Sequence, residues 1–137
     1  MVFEIPVRVY IEDTDAGGIV FYGNYLKFFE RARTEFLRSI GIEQSVTIEQ
    51  NLIYVVRHVS IDYRLSARLD DILTVSCVIQ TTRPTGVNFV HQATRVSDGV
   101  LLVNAEVEVV CVSMDTKRPR PIPDLLLNQL QIKAEKK

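Results

Sequence analysis

The chain has 137 residues, with 16 basic and 17 acidic side chains and a formal net charge of -1. This length suits one domain with a real core and is too short for two ordinary ones, so a single domain spanning 1–137 is expected. Near-neutral charge without long runs of one sign argues against a nucleic-acid groove.

The opening residues, MVFEIPVRVY, show no basic region leading into an apolar stretch and a small-residue cleavage site. No apolar run approaches the length needed to span a bilayer. A soluble, cytoplasmic protein is therefore expected. Val7, Val9 and Ile11 alternate with Arg8, Tyr10 and Glu12, the period of a strand.

Next comes EDTDAGGIVFYGNY, Glu12 to Tyr25, with two carboxylates and three glycines ahead of a long amphipathic segment. Asp-x-Asp before glycine is how a calcium loop begins. Asp13, Asp15 and Gly18 fit that pattern, but the fifth ligand position holds Gly17 and the twelfth holds Asn24. A strand also stands where the entering helix should be. No metal site is expected.

Asn24 to Ile40 reads as one helix, with Asn24 able to cap its start and Gly41 closing its end. Tyr25, Phe29, Ala32, Phe36 and Ile40 form its central apolar stripe, widened by Phe28 on one side and by Leu26 and Leu37 on the other. So broad a face calls for a wrapping surface, and the rest of the chain supplies strands. Val59, Ile61, Tyr63 and Leu65 alternate with polar neighbours, Leu73 to Ile79 with Thr74, Ser76 and Val78, and Leu101 to Cys111 with a set that includes Asn104, Glu106 and Glu108. Val87 to Val96 alternates less cleanly, between turn signals at Pro84-Thr85-Gly86 and Ser97-Asp98-Gly99.

Cys77 and Cys111 each lie in an apolar alternating run and read as buried thiols. After Lys117 the tail carries three prolines and a short apolar run, Leu125 to Leu130, with the look of a terminal helical turn. The order of strand, helix and four strands predicts an α+β architecture, one long central helix wrapped by a curved, mostly antiparallel five-stranded sheet. One helix cannot cover both faces and the edges of such a sheet, so a homo-oligomer paired through an edge strand is expected.

A helix N-terminus offers unpaired N–H groups and partial positive charge, which suit a negative oxygen. The residues just before Asn24 can therefore hold an oxyanion, and Gly17, Gly18 and Gly23 let a ligand approach the backbone. A carboxylate across that turn completes the parts needed for acyl transfer, with a thioester better suited than an amide. On spacing alone, Asp13 and Asp15 fit more readily as Asx turns solvating a loop.

The segment Tyr10 to Gly41, YIEDTDAGGIVFYGNYLKFFERARTEFLRSIG, resembles the signature of the hot-dog-fold acyl-CoA thioesterases of the 4-hydroxybenzoyl-CoA thioesterase family, and within it the Tol-Pal-associated subfamily. Val55-Val56-Arg57, Ala67 to Asp71 and Arg118 to Pro123 extend the resemblance over nearly the whole chain. It implies that Asp15 is the catalytic carboxylate, as nucleophile or general base. It also implies that the Tyr22 amide, with Gly23 beside it and Gly18 opening the loop, polarises the thioester carbonyl, and that Asp13 supports the turn. Many subfamily members carry histidine where this chain has Gly23, so an assisting imidazole is not implied. The substrate implied is acyl-CoA, with acyl carrier protein open as a donor, no bound cofactor, and a homodimer or homotetramer as the assembly.

Among basic residues near loops, Arg83, Lys117, Arg118 and Arg120 are candidates for the coenzyme A phosphates, with Arg83 and Arg118 put forward. Arg33, three residues after Glu30 and inside the apolar arc, reads as half of a partly buried ion pair, and Arg31 with Glu35 as an exposed one. His58 and His91 read as surface or core histidines, since no serine or cysteine is placed to complete a triad. Two alternatives stay open: a hydratase or dehydratase on the same fold, and a non-catalytic acyl-binding or scaffold protein.

Overall fold

The computed structural model describes residues 2–42 and 50–135. Strand β1 (Phe3–Arg8) leads through a single 3-10 turn (Ile11–Asp13) into helix α1 (Asn24–Ser39). Strands β2 (Leu52–Tyr63), β3 (Ile72–Arg83), β4 (Gly86–Arg95) and β5 (Leu101–Ser113) follow, and helix α2 (Asp124–Glu135) closes the chain. The five strands form one sheet in the order β1-β3-β4-β5-β2, and every neighbouring pair is antiparallel. The α+β expectation holds. Among the described residues, no helix is long and apolar enough to cross a membrane.

Helix α1 ends as its sequence implies, with Gly41 in the left-handed region at φ 88° just past the last turn. Its buried face is Tyr25, Phe28, Phe29, Ala32 and Phe36, while Leu26 is exposed and Leu37 only partly covered. The apolar arc is thus narrower than the wheel suggested, because the sheet covers one side of the helix. Phe36 meets Phe3 and Phe89 edge-on, and Phe29 stacks flat on His91 with ring centroids 5.0 Å apart.

Strand β2 starts seven residues earlier than the alternation from Val59 suggested. The cause is a bulge: Val56 pairs with Val109 and His58 with Glu108, leaving Arg57 as an extra residue. Before the bulge Leu52, Tyr54 and Val56 share the face of the core. After it, that face passes to Val59, Ile61 and Tyr63, so a period-two reading cannot run through Arg57. A second register shift lies between Ile79 and Thr81 on β3.

The tail forms a helix of 12 residues, longer than a terminal turn, so α1 is not the only helix. Ile122, Leu126 and Leu130, at four-residue spacing, are its buried contacts, and the Ile122 N–H donates to the Pro84 carbonyl at 2.8 Å. The prolines hold the approach extended and leave the helix free to begin at Asp124.

Both thiols are buried, and burial pushes Cys77 up to about 12. His91, on β4, is fully buried beneath α1. Its Nδ1 lies 2.8 Å from the Ser76 carbonyl oxygen, which can only accept, so Nδ1 carries the proton and Nε2 accepts from Arg33 Nη1 at 3.0 Å. The expected Arg33–Glu30 ion pair is therefore not the contact formed: the guanidinium reaches across to β4. Nor do Arg31 and Glu35 pair, since Arg31 lies over the Phe28 ring and Glu35 bonds Arg38.

Burial, more than the neighbouring Arg33 charge, lowers His91 from 6.5 to about 4. The unfolded chain binds a proton at this residue below pH 6.5, whereas the folded chain resists it until about pH 4. Stability from this residue is complete above pH 6.5 and declines below it, by roughly 1.4 kcal/mol per pH unit. Urea unfolding should show that loss between about pH 6.5 and 5 in the natural chain and not in His91→Gln; equal slopes would refute the assignment.

Candidate active site

The acidic turn is built around Asp13. This carboxylate is 7% exposed and accepts from the Tyr10 N–H at Oδ2 (2.8 Å) and from Asn24 Nδ2 at Oδ1 (2.7 Å). Its backbone carbonyl accepts from the Phe21 N–H at 2.9 Å. Asn24 does not cap the helix as its type suggested. Gly23 holds the cap position without a side-chain bond, because the Asn24 amide is committed to Asp13. One carboxylate thus joins the exit of β1 to the first residue of α1.

Two residues on, Asp15 is exposed, and its Oδ1 accepts from the Gly17 N–H at 2.9 Å. This is an Asx turn, and it orients the side chain rather than burying it. Gly18 takes φ 77°, which a side chain would resist. A Cβ on Gly23 would lie 3.0 Å from the Phe21 ring, so glycine lets the chain enter the helix beside that ring.

The loop is clamped from outside by the segment after β2. Val20 N–H donates to the Ala67 carbonyl at 2.9 Å, Ile19 bridges Arg68, and Ala67 N–H donates to the Tyr25 hydroxyl at 3.0 Å. Between loop and clamp opens a pocket of about 190 Å³ lined by Asp15, Ile19, Tyr22, Tyr25, Tyr63 and Arg64, among others. Asp15 and Tyr22 therefore face one space. The Tyr22 side chain is 66% exposed, and its carbonyl accepts from the Tyr63 hydroxyl at 2.9 Å. Among the described residues, none of the hydrogen bonds of this turn uses the N–H of Tyr22 or Gly23. Gly23, at the cap, is one of the groups a helix start leaves for an incoming oxygen, and Tyr22 precedes it.

Burial raises the pKa of both Tyr25 and Tyr63, so both remain neutral phenols at ordinary pH. They form a wall with Tyr22, with centroids 5.8 Å apart for Tyr25–Tyr63 and 6.2 Å for Tyr22–Tyr63. Tyr63 and Arg64 were not singled out in the sequence. The available signal was that the alternation ends after Leu65, placing both residues near a strand end.

The arginines put forward for phosphate lie elsewhere in the single chain. Arg83 bonds Glu108 at 2.8 Å and Asn88 at 3.1 Å, and Arg118 is exposed beyond the end of β5. Tyr63 pairs with Val103 and Gly86 with Val110. Seven residues of strand thus separate the two ends, about 23 Å. Neither histidine lines the Asp15 pocket.

The family model of the thioesterase-like superfamily matches residues 9–130. The chain belongs to the thioesterase-like superfamily. The acyl-CoA thioesterase YbgC of Haemophilus influenzae is 42% identical over 122 residues, covering 88% of each chain. The acyl-CoA thioester hydrolase YbgC of Escherichia coli is 40% identical over 129 residues, covering 94% of this chain and 96% of the relative. A solved 1,4-dihydroxy-2-naphthoyl-CoA thioesterase from Synechocystis superposes with a TM-score of 0.88 over 96% of both chains, at 22% identity. The family resemblance carried by Tyr10 to Gly41 is borne out, and this thioesterase-like chain has the hot-dog fold that it implied.

Removing the Asn24 amide leaves the Asp13 carboxylate short of one donor in a buried place. Asn24→Ala should lower stability by about 1–3 kcal/mol in urea unfolding. A change below about 0.5 kcal/mol would mean that the bond does not hold the turn.

Proposed function

We propose that the chain hydrolyses acyl-CoA to a free carboxylic acid and coenzyme A in the Asp15 pocket. The observation that supports this reading is that Asp15, an exposed carboxylate, and Tyr22, just before α1, line the same pocket. The Tyr22 N–H, with Gly23 beside it, is the donor to the thioester oxygen as negative charge develops there. Gly18 keeps the loop open to the substrate. Asp15 either attacks the carbonyl or removes a proton from the water that does. The thiolate of coenzyme A then leaves. The names of the YbgC relatives support the same reaction.

The edge of the sheet bears on the assembly. β2 is an outer strand of 12 residues, and Val55 and Val56 on it are 38% and 48% exposed. A long apolar edge left open invites pairing with another chain. We infer a homodimer joined through β2, with a homotetramer as its further pairing. Antiparallel pairing of two such edges carries the Arg83 and Arg118 end of one protomer toward the Asp15 end of its partner. That arrangement would bring these arginines to the phosphates, alongside Arg64 at the pocket itself.

Asp15→Asn keeps the shape of the side chain and removes its basicity. Release of free thiol from acyl-CoA should fall on the order of a hundredfold or more, with unfolding unchanged. Near-normal turnover would refute the assignment. A single turnover in oxygen-18 water then separates the two roles, since label appearing on Asp15 establishes direct attack. For the assembly, light scattering at micromolar concentration should give a dimer or a multiple of it; a fully active monomer would overturn the β2 interface.

A further inference from the structure

The turn that leads into α1 is Phe21-Tyr22-Gly23-Asn24, closed by the Asn24 N–H on the Phe21 carbonyl at 2.8 Å. Glycine at the third place of such a turn suits type II, which needs φ > 0 there. The chain does not use that freedom: Gly23 sits at φ -70° and ψ -18°, on the type I side. The two forms differ by a flip of the central peptide, Tyr22–Gly23, and with no Cβ at residue 23 sterics choose only weakly between them. A contact outside the turn sequence selects the form observed.

That contact falls on the central peptide. The carbonyls on either side are held by main-chain donors, Phe21 by the Asn24 N–H and Gly23 by the Leu26 N–H at 3.2 Å. The Tyr22 carbonyl takes its hydrogen bond from a side chain, the Tyr63 hydroxyl at 2.9 Å. Tyr63 is itself firmly placed. It is the last residue of β2, paired with Val103, and the N–H groups of the two residues after it donate to the Leu102 carbonyl. Its ring is braced by Tyr22 and Tyr25. A phenol has one proton to give, so this hydroxyl has none left for a substrate. Its effect on a reaction must pass through the turn.

In a planar trans peptide the N–H points opposite to the carbonyl, and the described residues include no cis bond. A group that fixes the Tyr22 carbonyl therefore aims the Gly23 N–H. In a type I turn, as in a helix, successive N–H groups point the same way, whereas a flip to type II turns the central N–H away and puts a carbonyl oxygen in its place. We propose that Tyr63 is a positioning residue for thioester hydrolysis, its hydroxyl holding the Phe21–Asn24 turn in the form that offers the N–H groups of both Tyr22 and Gly23 to the thioester oxygen. The inference rests on the hydrolytic reading at Asp15 and adds to it the residue that selects the turn.

Tyr63→Phe keeps the ring and removes the hydrogen bond. In thiol release from acyl-CoA, kcat should fall roughly threefold to tenfold with KM within about twofold of the natural chain, the size of one hydrogen bond felt in the transition state. An unchanged kcat overturns the proposal, and so does a raised KM at unchanged kcat, since the hydroxyl would then be touching substrate. A double-mutant cycle with Gly23→Ala separates turn selection from a merely structural role. Alanine resists φ > 0 and so holds the type I form unaided; the Phe21 ring that its Cβ approaches to 3.0 Å is 47% exposed and has room to turn. In that background Tyr63→Phe should lower kcat by less than about twofold, whatever the level of Gly23→Ala itself, and a further loss as large as in the natural chain overturns the proposal. Should the double variant not fold or not turn over, nitrogen-15-resolved proton spectra of Tyr63→Phe decide. The cross-peak between the Tyr22 Hα and the Gly23 N–H, a pair that the flip brings together, should strengthen; an unaltered cross-peak overturns the assignment. That signal is read without substrate, so the two readings fail separately: normal turnover in Asp15→Asn removes the hydrolytic reading, whereas an unaltered cross-peak removes only the role of Tyr63.

Discussion

The pocket depends on a buried carboxylate that does not itself line it. Asp13 receives the Tyr10 N–H on one oxygen and the Asn24 amide on the other, so the end of β1 and the start of α1 are held at a set separation. An ionised carboxylate out of water needs such donors, and once it has them the turn has little freedom. Asp15, two residues further, then projects to the surface, and the Tyr22 and Gly23 amides stay at the helix start. Two acids of one short loop are thus set apart, one buried and one exposed.

The second constraint is the fit of α1 to the sheet. Phe28, Phe29, Ala32 and Phe36 are buried among the core side chains, and the sheet keeps its apolar face toward them by inserting Arg57 into β2. Without that bulge, one half of β2 would turn its valines to the wrong face. A polar chain runs through this core as well, from Ser76 through His91 to Arg33. Its hydrogen bonds hold one tautomer, and hence one orientation, of a histidine stacked under Phe29. Such a network ties helix position to strand register more narrowly than apolar packing does.

Two cavities divide α1 between them. The first lies at its N-terminal turn, and the second lies along its later half beside Arg33. Both draw on the sheet strands beside the helix, and β2 contributes to each, with Tyr63 at one end and Tyr54 and Val56 at the other. This edge strand borders both spaces and leaves its outer side open.

Periodicity by itself determined most of the elements, because α1 and β3 to β5 bury one face each and so write that face into the spacing of Phe29, Ala32 and Phe36 or of Leu73, Val75 and Cys77. Motif resemblance determined the family, and it marked Asp15 and Tyr22, which lie in one short loop and line one pocket. The early part of β2 was hidden because a bulge breaks the alternation at Arg57, and the length of α2 because its contacts to Pro84 and the core are remote in sequence. Only the tertiary structure brought Tyr63 and Arg64 to Asp15, set Arg83 and Arg118 at the opposite end of the strands, and turned Arg33 from Glu30 to His91. Local spacing records which face a residue turns inward; what it meets there is decided by strands from elsewhere in the chain, and no short-range pattern carries that information.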